Sequence, residues 1–300
     1  MDVDKKNGGI CFNEKEHLYW NERDNNKYVS VTTLIERFGQ PFDSEFWSAY
    51  KALEVLIPKE NWKIEKKSLL NSHKFNNELL SLYNISTNEF NKQQQNILDE
   101  WAKTNRESCE RGTKIHAELE NSMYKMKDSV NLKKFGIGGK FICDKNRTNL
   151  DLENGVYPEY LISRTSKDGI LRIAGQIDLL VKTGNEISII DYKTNKEIKQ
   201  HSGFDTKSRQ TTKMKYPLNN LEDCNYIHYN LQLSMYAWMV QKLNPDFIIK
   251  DLILVHFDHA DKMTIYHLDY LKHDVEKLLS WHKKQLIHDK QQEKYKRIEY

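Results

Sequence analysis

Asp178, Asp191 and Lys193 fall within one short stretch, GQIDLLVKTGNEISIIDYKT, residues 175–194. Its internal turn signal is Gly184-Asn185, a pair suited to a two-residue hairpin connection. Folding the stretch symmetrically about that turn sets Thr183 opposite Glu186, Val181 opposite Ser188 and Asp178 opposite Asp191. The two carboxylates then become cross-strand neighbours, with β-carbons roughly 4.5–5.5 Å apart. Lys193 lies two residues beyond Asp191 and so shares its face of the sheet. Like charges placed opposite one another destabilise a ladder, more so when buried, unless a cation lies between them. The pattern predicts a divalent-metal site with a catalytic lysine beside it.

The elements that must position these residues are legible in outline. HLYWNE and KYVSV are strand-like on either side of the turn-rich Arg23-Asp24-Asn25-Asn26, and TTLIERF begins a helix. Helical patterns run over about 43–57 and 62–83, with Pro58 breaking the first. Ser86 and Glu89 form a capping box that opens a long helix towards Ser108. Gly112 then introduces GTKIHAELENSMY, where Gly112, His116 and Glu120 share a stripe, and a glycine there lets a helix approach a sheet closely. Residues 127–153 give no clear assignment. Three strands follow, VYPEYLIS, ILRIAGQIDLLV and EISIIDYK, and then a long irregular segment over about 194–224. A helix at YIHYNLQLSMYAWMVQKL, strands at DFIIKDLILVHF and MTIYHL, and a final amphipathic helix complete the chain. Strands alternating with helices predict an α/β fold, a short mixed β-sheet flanked by helices. The division expected is an N-terminal hairpin plus helical region, 1–87, and a core, 88–300.

Composition closes several doors. The 300 residues, 38% hydrophobic and 30% charged, suit a globular chain. MDVDKKNGGI has no secretory-signal pattern, and no apolar stretch approaches the length of a membrane span, so no membrane partner is expected. The four cysteines form no C-x-x-C pair, which argues against a zinc or iron–sulfur site and leaves a reducing, cytoplasmic compartment as the expectation. No Walker-type loop is present. The net charge of +3 does not itself declare a nucleic-acid binder. However, Lys196, Lys199, Lys207, Arg209, Lys213 and Lys215 follow directly on Lys193, against Glu197 and Asp205, and so are expected to contact phosphates. The basic stretch from Lys283 to Arg297 reads as solvated surface.

In chain order, Gly112-x-x-x-His116-x-x-x-Glu120, Glu159, Gly175-x-x-Asp178, Asp191-x-Lys193 and Gln232-x-x-x-Tyr236 resemble the RecB-like branch of the PD-(D/E)XK nuclease superfamily, over about residues 88–260. A lone D-x-K triplet is common by chance; the full set in this order is specific. The N-terminal strand pair followed by SVTTLIERF is more loosely similar to the start of phage-type and mitochondrial genome maintenance-type exonucleases. The resemblance implies a restriction-endonuclease-like core and a Mg2+- or Mn2+-dependent deoxyribonuclease without an iron–sulfur cluster. It implies an exonuclease acting on DNA ends or single strands, in phage or genome recombination or repair, with a recombination or replication protein as a partner. Oligomeric state stays open. So do two alternatives, a structure-specific or restriction-type endonuclease and a non-catalytic DNA-binding recombination partner. Retention of both aspartates and the lysine weighs against the last.

The resemblance also distributes roles. Asp178 and Asp191 supply hard oxygen ligands, Lys193 orients or deprotonates the attacking water, and Glu159 completes the carboxylate cluster. Pro158 equally suits an exposed edge position for that glutamate. His116 matches a metal-binding helix histidine, against the alternative of an ordinary core histidine. Glu120 either hydrogen-bonds a ligand from outside or is a helix-surface charge. Gln232 and Tyr236 match a helix that contacts the DNA backbone, though Tyr236 also suits a core position among Leu233, Ala237 and Val240. His256, Asp258, His259 and Asp261 are expected to face solvent, and Cys224 and His228 form a helix-spaced pair without companions.

Overall fold

The computed structural model describes residues 3, 5–7, 9–75, 77–126, 130–143, 152–205 and 210–298. Its strands are β1 (Lys5–Asn7), β2 (Ile10–Asn13), β3 (Leu18–Asn21), β4 (Lys27–Ser30), β5 (Val130–Asn131), β6 (Lys140–Phe141), β7 (Gly155–Thr165), β8 (Arg172–Thr183), β9 (Glu186–Lys193), β10 (Phe204–Asp205), β11 (Gln210–Thr211), β12 (Ile248–Phe257) and β13 (Met263–His267). The helices are α1 (Val31–Glu36), α2 (Ser44–Leu56), α3 (Lys59–Ser72), α4 (Glu78–Leu82), α5 (Thr87–Met126), α6 (Asn225–Leu243) and α7 (Lys272–Ile298).

The β8–β9 hairpin forms in the register its turn dictates, with Thr183 opposite Glu186 and Val181 opposite Ser188. Gly184 takes φ +59 and Asn185 stays out of the positive-φ region, the signature of a type II′ turn with glycine at its first central position. β9 is buried on both faces and pairs antiparallel with β8 and parallel with β12, so the sheet is mixed. Nine strands join it, in the order β1-β2-β3-β4-β8-β9-β12-β13, with β7 on the outer edge of β8. Helix α6, apolar nearly all round, packs on β7, β9 and β12 and against α1 and α7, as expected of a buried helix.

β8 changes neighbours halfway along one edge. It pairs in parallel with β4 at Ile173 and Ala174, and antiparallel with β9 from Leu179 to Thr183. Residues 175–178 therefore have no ladder partner on that edge, and a gap opens there. On the other edge β7 pairs along almost the whole strand, but the row that would join Glu159 to Asp178 is missing between Pro158↔Leu179 and Tyr160↔Ile177. Side-chain alternation reverses at this row. Ile173, Ile177 and then Leu180 enter the core beneath α6, whereas Leu179 and Val181 enter the core containing Met123 and Phe135. On β7, Tyr160 and Ile162 join the first core on one side of Glu159, and Tyr157 does so on the other. Glu159 itself has φ +50, a conformation costly for a residue with a β-carbon and concentrated at functional sites.

The chain forms two compact units. One comprises Met1–Gln40, Gly112–Phe204 and Thr211–Tyr300, and contains the sheet; the other comprises Pro41–Arg111 and Asp205–Gln210. The second has its own core, in which Ala52, Leu53, Trp62, Leu80 and Phe90 are buried. These limits differ from the division expected at 87/88. The N-terminal strands belong to the large sheet because β4 pairs with β8, and the boundary beyond falls inside α5. Two helical expectations also change. The pattern over 62–83 is broken at His73, which takes a left-handed φ of +49 at the end of α3. Gly112 does not open a new helix but lies within α5, since a helical glycine costs only about 1 kcal/mol.

Candidate active site

The two ladders align three acids. Continuing the β7–β8 and β8–β9 registers places Glu159, Asp178 and Asp191 in one row across three strands. Pairing stops at Leu179↔Ile190, and the next backbone donor of β9, the Tyr192 N–H, donates instead to Asp178 Oδ2 at 2.7 Å. Gln176, two residues from Asp178, donates through Nε2 to Glu159 Oε2 and so anchors that carboxylate.

His116 reaches this row from α5. Gly112, one turn earlier, allows the approach: a β-carbon there would lie 3.3 Å from Thr194 Oγ1, just past the end of β9. His116 Nε2 lies 3.1 Å from the Tyr192 carbonyl. A carbonyl only accepts, so Nε2 carries the hydrogen, and Nδ1 is bare in the neutral ring. Nδ1 faces Asp178 Oδ1 at 3.7 Å and Glu159 Oε1 at 3.8 Å. His116, Glu159 and Asp178 each offer one ligand atom, all within 4.8 Å of one another.

The electrostatics follow from this crowding. Burial, then the Asp191 charge, pushes the Asp178 carboxyl up to about 7, against the opposing pull of His116 and Lys193. Burial pulls His116 down, but Glu159, Asp178 and Asp191 outweigh it and raise the imidazole to about 9. In the absence of a cation the histidine proton partly neutralises the acids.

Asp191 is engaged differently. It is 2% exposed, and its Oδ2 pairs with Lys193 Nζ at 2.5 Å while its Oδ1 accepts from Gln232 Nε2 at 3.0 Å. In this arrangement Asp191 stays in the row beside Asp178 while its own oxygens are taken up by Lys193 and Gln232. Lys193 Nζ also lies 4.9 Å from the Tyr229 ring centroid. Burial lowers the lysine's affinity for its proton, and the Asp191 and Asp178 charges more than restore it.

Gln232 and Tyr236 are both buried, so α6 meets this site from within. The Tyr236 ring lies against Gly175, where a β-carbon would come within 2.6 Å of Cε1. Glu120 is half-buried and stands beside the Tyr124 hydroxyl, which it helps to hold protonated. Lys196 and Lys199 are exposed, and Lys199 Nζ is 3.4 Å from Glu197. Lys207 and Arg209 lie outside the described residues. Contrary to expectation, His256 is buried, with Nε2 2.6 Å from the Asn195 carbonyl, because β12 carries it alongside Lys193. Asp258 accepts N–H groups from Ala260 and Lys262 within its own turn, and His228 pairs with Asp223.

The sequence reading missed three residues. Gln176 shares the Asp178 strand, and Tyr229 lies one turn before Gln232; both spacings were visible signals. Tyr19 had no local signal, because it comes from the N-terminal hairpin. With Phe12, His17, Ser30 and Thr32 it lines a cavity of about 190 Å³ that His116, Glu159 and Asp178 also line. Burial and the charges of Glu159 and Asp178 hold the Tyr19 phenol well above its ordinary range.

Among solved structures the chain is similar to a candidate exonuclease from Eubacterium rectale, with 13% identity over 83% of this chain and 85% of that one and a TM-score of 0.30. It is also similar to the protein SSO0001, with 20% identity over 41% of this chain and a TM-score of 0.26; the match spans 46% of that protein's length. No curated protein gives a significant match. A profile of the PD-(D/E)XK nuclease superfamily matches residues 63–297, which include every acid, the histidine and the lysine of the site just described. By that match, and with its mixed α/β sheet, the chain belongs to the PD-(D/E)XK nuclease superfamily.

Proposed function

We propose that this nuclease hydrolyses DNA phosphodiesters with the help of Mg2+ or Mn2+ bound by His116, Glu159 and Asp178, and that it acts as an exonuclease on ends or single strands. The observation that carries the reading is the convergence of those three ligand atoms within 4.8 Å, beside a lysine that Asp191 holds on the next strand. The donor set fits the ion. Two carboxylates suit a hard divalent cation, and one imidazole nitrogen makes Mn2+ a good occupant. A bound cation would polarise the scissile phosphate and lower the pKa of a water at the site.

The chain's own residues supply the rest. Glu159 and Asp178 enter the site prealigned, one by Gln176 and the other by the Tyr192 N–H. Lys193 stays cationic, since Asp191 and Asp178 raise its pKa. It therefore serves as a donor that orients the attacking water and offsets phosphate charge, in preference to acting as the base. Gln232 fixes Asp191, and so the lysine, in place.

Digestion of end-labelled linear and circular single-stranded DNA with Mg2+ or Mn2+ tests this. Linear strands are expected to shorten from an end while circles survive; nicked circles would replace the exonuclease with an endonuclease. Lys193→Ala is expected to bind DNA and leave it uncut.

A further inference from the structure

One wall of the cavity comes from residues outside the family motifs. Phe12 and Tyr19 face each other across β2 and β3, with ring centroids 4.3 Å apart and planes at 18°. His17, held at φ +50 between the two strands, stands edge-on to both, at 5.6 Å from Phe12 and 5.7 Å from Tyr19. Two aromatic contacts thus hold the Tyr19 ring, which is 3% exposed, and the contact between Phe12 and His17 braces them.

The ring is buried and its hydroxyl makes no hydrogen bond among the described residues, yet that oxygen is not one of the fully buried atoms left without a partner, so it keeps access to solvent. The aliphatic hydroxyls lining the cavity, Ser30 and Thr32, are already committed: Ser30 accepts the Thr33 N–H at 3.0 Å and caps α1, and its Oγ lies 3.1 Å from Thr32 Oγ1. Tyr19 is therefore an unengaged hydroxyl donor in a cavity that the three candidate ligands also line. Carboxylates held for a cation and a hydroxyl donor lining the same small space suit an oxyanion bound there.

We infer that the N-terminal hairpin is part of the active site, and that the Tyr19 hydroxyl donates to a non-bridging oxygen of the phosphate lying against His116, Glu159 and Asp178. The inference rests on the proposed phosphodiesterase activity and adds to it a substrate-contacting residue outside the helix–strand–strand–helix motif. At neutral pH a phenol keeps its proton, so the contact donates throughout the reaction and strengthens as charge builds on the phosphate.

Tyr19→Phe removes the oxygen and keeps the stack on Phe12. With an end-labelled single-stranded oligonucleotide and Mn2+, kcat is expected to fall about 10- to 100-fold, the loss of one charge-assisted hydrogen bond. Mn2+ affinity by calorimetry and the melting temperature are expected to match wild type, because no protein partner is lost. Anisotropy with the same oligonucleotide in Ca2+ should show weaker binding. A wild type that cuts alongside a Tyr19→Phe variant of undiminished rate overturns the inference and leaves the proposed function standing. A variant that loses melting temperature or Mn2+ affinity along with rate also overturns it, since the hydroxyl would then serve the fold. A wild type that cuts no nucleic acid removes both.

Discussion

Replacing Gly175 by alanine tests whether α6 and the strand bearing Asp178 are fitted to each other at atomic tolerance. A β-carbon at 175 would lie 2.6 Å from Tyr236 Cε1, 3.0 Å from its hydroxyl and 3.2 Å from Cζ. Carbon atoms settle at about 3.5–4.0 Å, so strand and ring must part by about 1 Å. Neither is free to do so. Gly175 is paired with Ile162 on β7, and Tyr236 sits in the middle of α6, 3% exposed. Overpacking of this kind costs 1–3 kcal/mol, and the lower entropy of the unfolded alanine chain offsets up to about 1 kcal/mol. The expected net loss is about 1–2 kcal/mol by urea denaturation, or roughly 2–8 °C in melting temperature. Gln232, one turn from Tyr236, holds Asp191 and through it Lys193. A shift of about 1 Å there is expected to lower kcat by about 100-fold. Tyr236→Leu removes the ring atoms in the way, so the stability cost of Gly175→Ala should shrink to a few tenths of a kcal/mol in that background. Equal costs in both backgrounds, or a Gly175→Ala enzyme as stable and active as wild type, would refute the close fit.

Two further predictions concern the acid row. His116 rises to about 9 and Asp178 to about 7 without a cation, so both groups must be deprotonated for all three ligands to bind one. At pH 7.5 binding of Mn2+ should release about one proton, mostly from His116. The sign is fixed: affinity climbs with pH up to about 9, by about tenfold per unit above pH 7 and more steeply below it. Calorimetry in two buffers of different ionisation enthalpy measures the release, and identical heats would contradict it. Gln176→Leu leaves Glu159 without its anchor and should weaken Mn2+ binding by about 10- to 100-fold, with little change in melting temperature; unchanged affinity would show that the anchor is idle.

The hairpin was legible because its information is local. Gly184-Asn185 sets the turn, and a turn of known length sets every pair behind it, down to the aspartates. Glu159 was reachable through resemblance, but its backbone was not: a positive φ at a glutamate in a strand contradicts local propensity. The pairing of β4 with β8 joins residues 29–30 to 173–174, a contact with no signature in either segment. For that reason the aromatic wall around Tyr19 stayed out of sight, and the N-terminal strands were set apart from the core. His256 was misjudged because the residues after it look like a turn, while its burial depends on β9 alongside. The partners of Asp191 were hidden for a similar reason, since Gln232 reaches it across 41 positions of sequence.

The reversal of alternation at Glu159 and Asp178 constrains how this sheet can change length. On either side of that row, each position's parity decides which of two cores receives its side chain. Inserting or deleting one residue in β7 or β8 would exchange the contents of both cores beyond that point. Changes made in pairs would preserve the assignment. Glu159 and Asp178 thus mark a fixed seam in β7 and β8, and drift in the length of those strands is confined to even steps on either side of it.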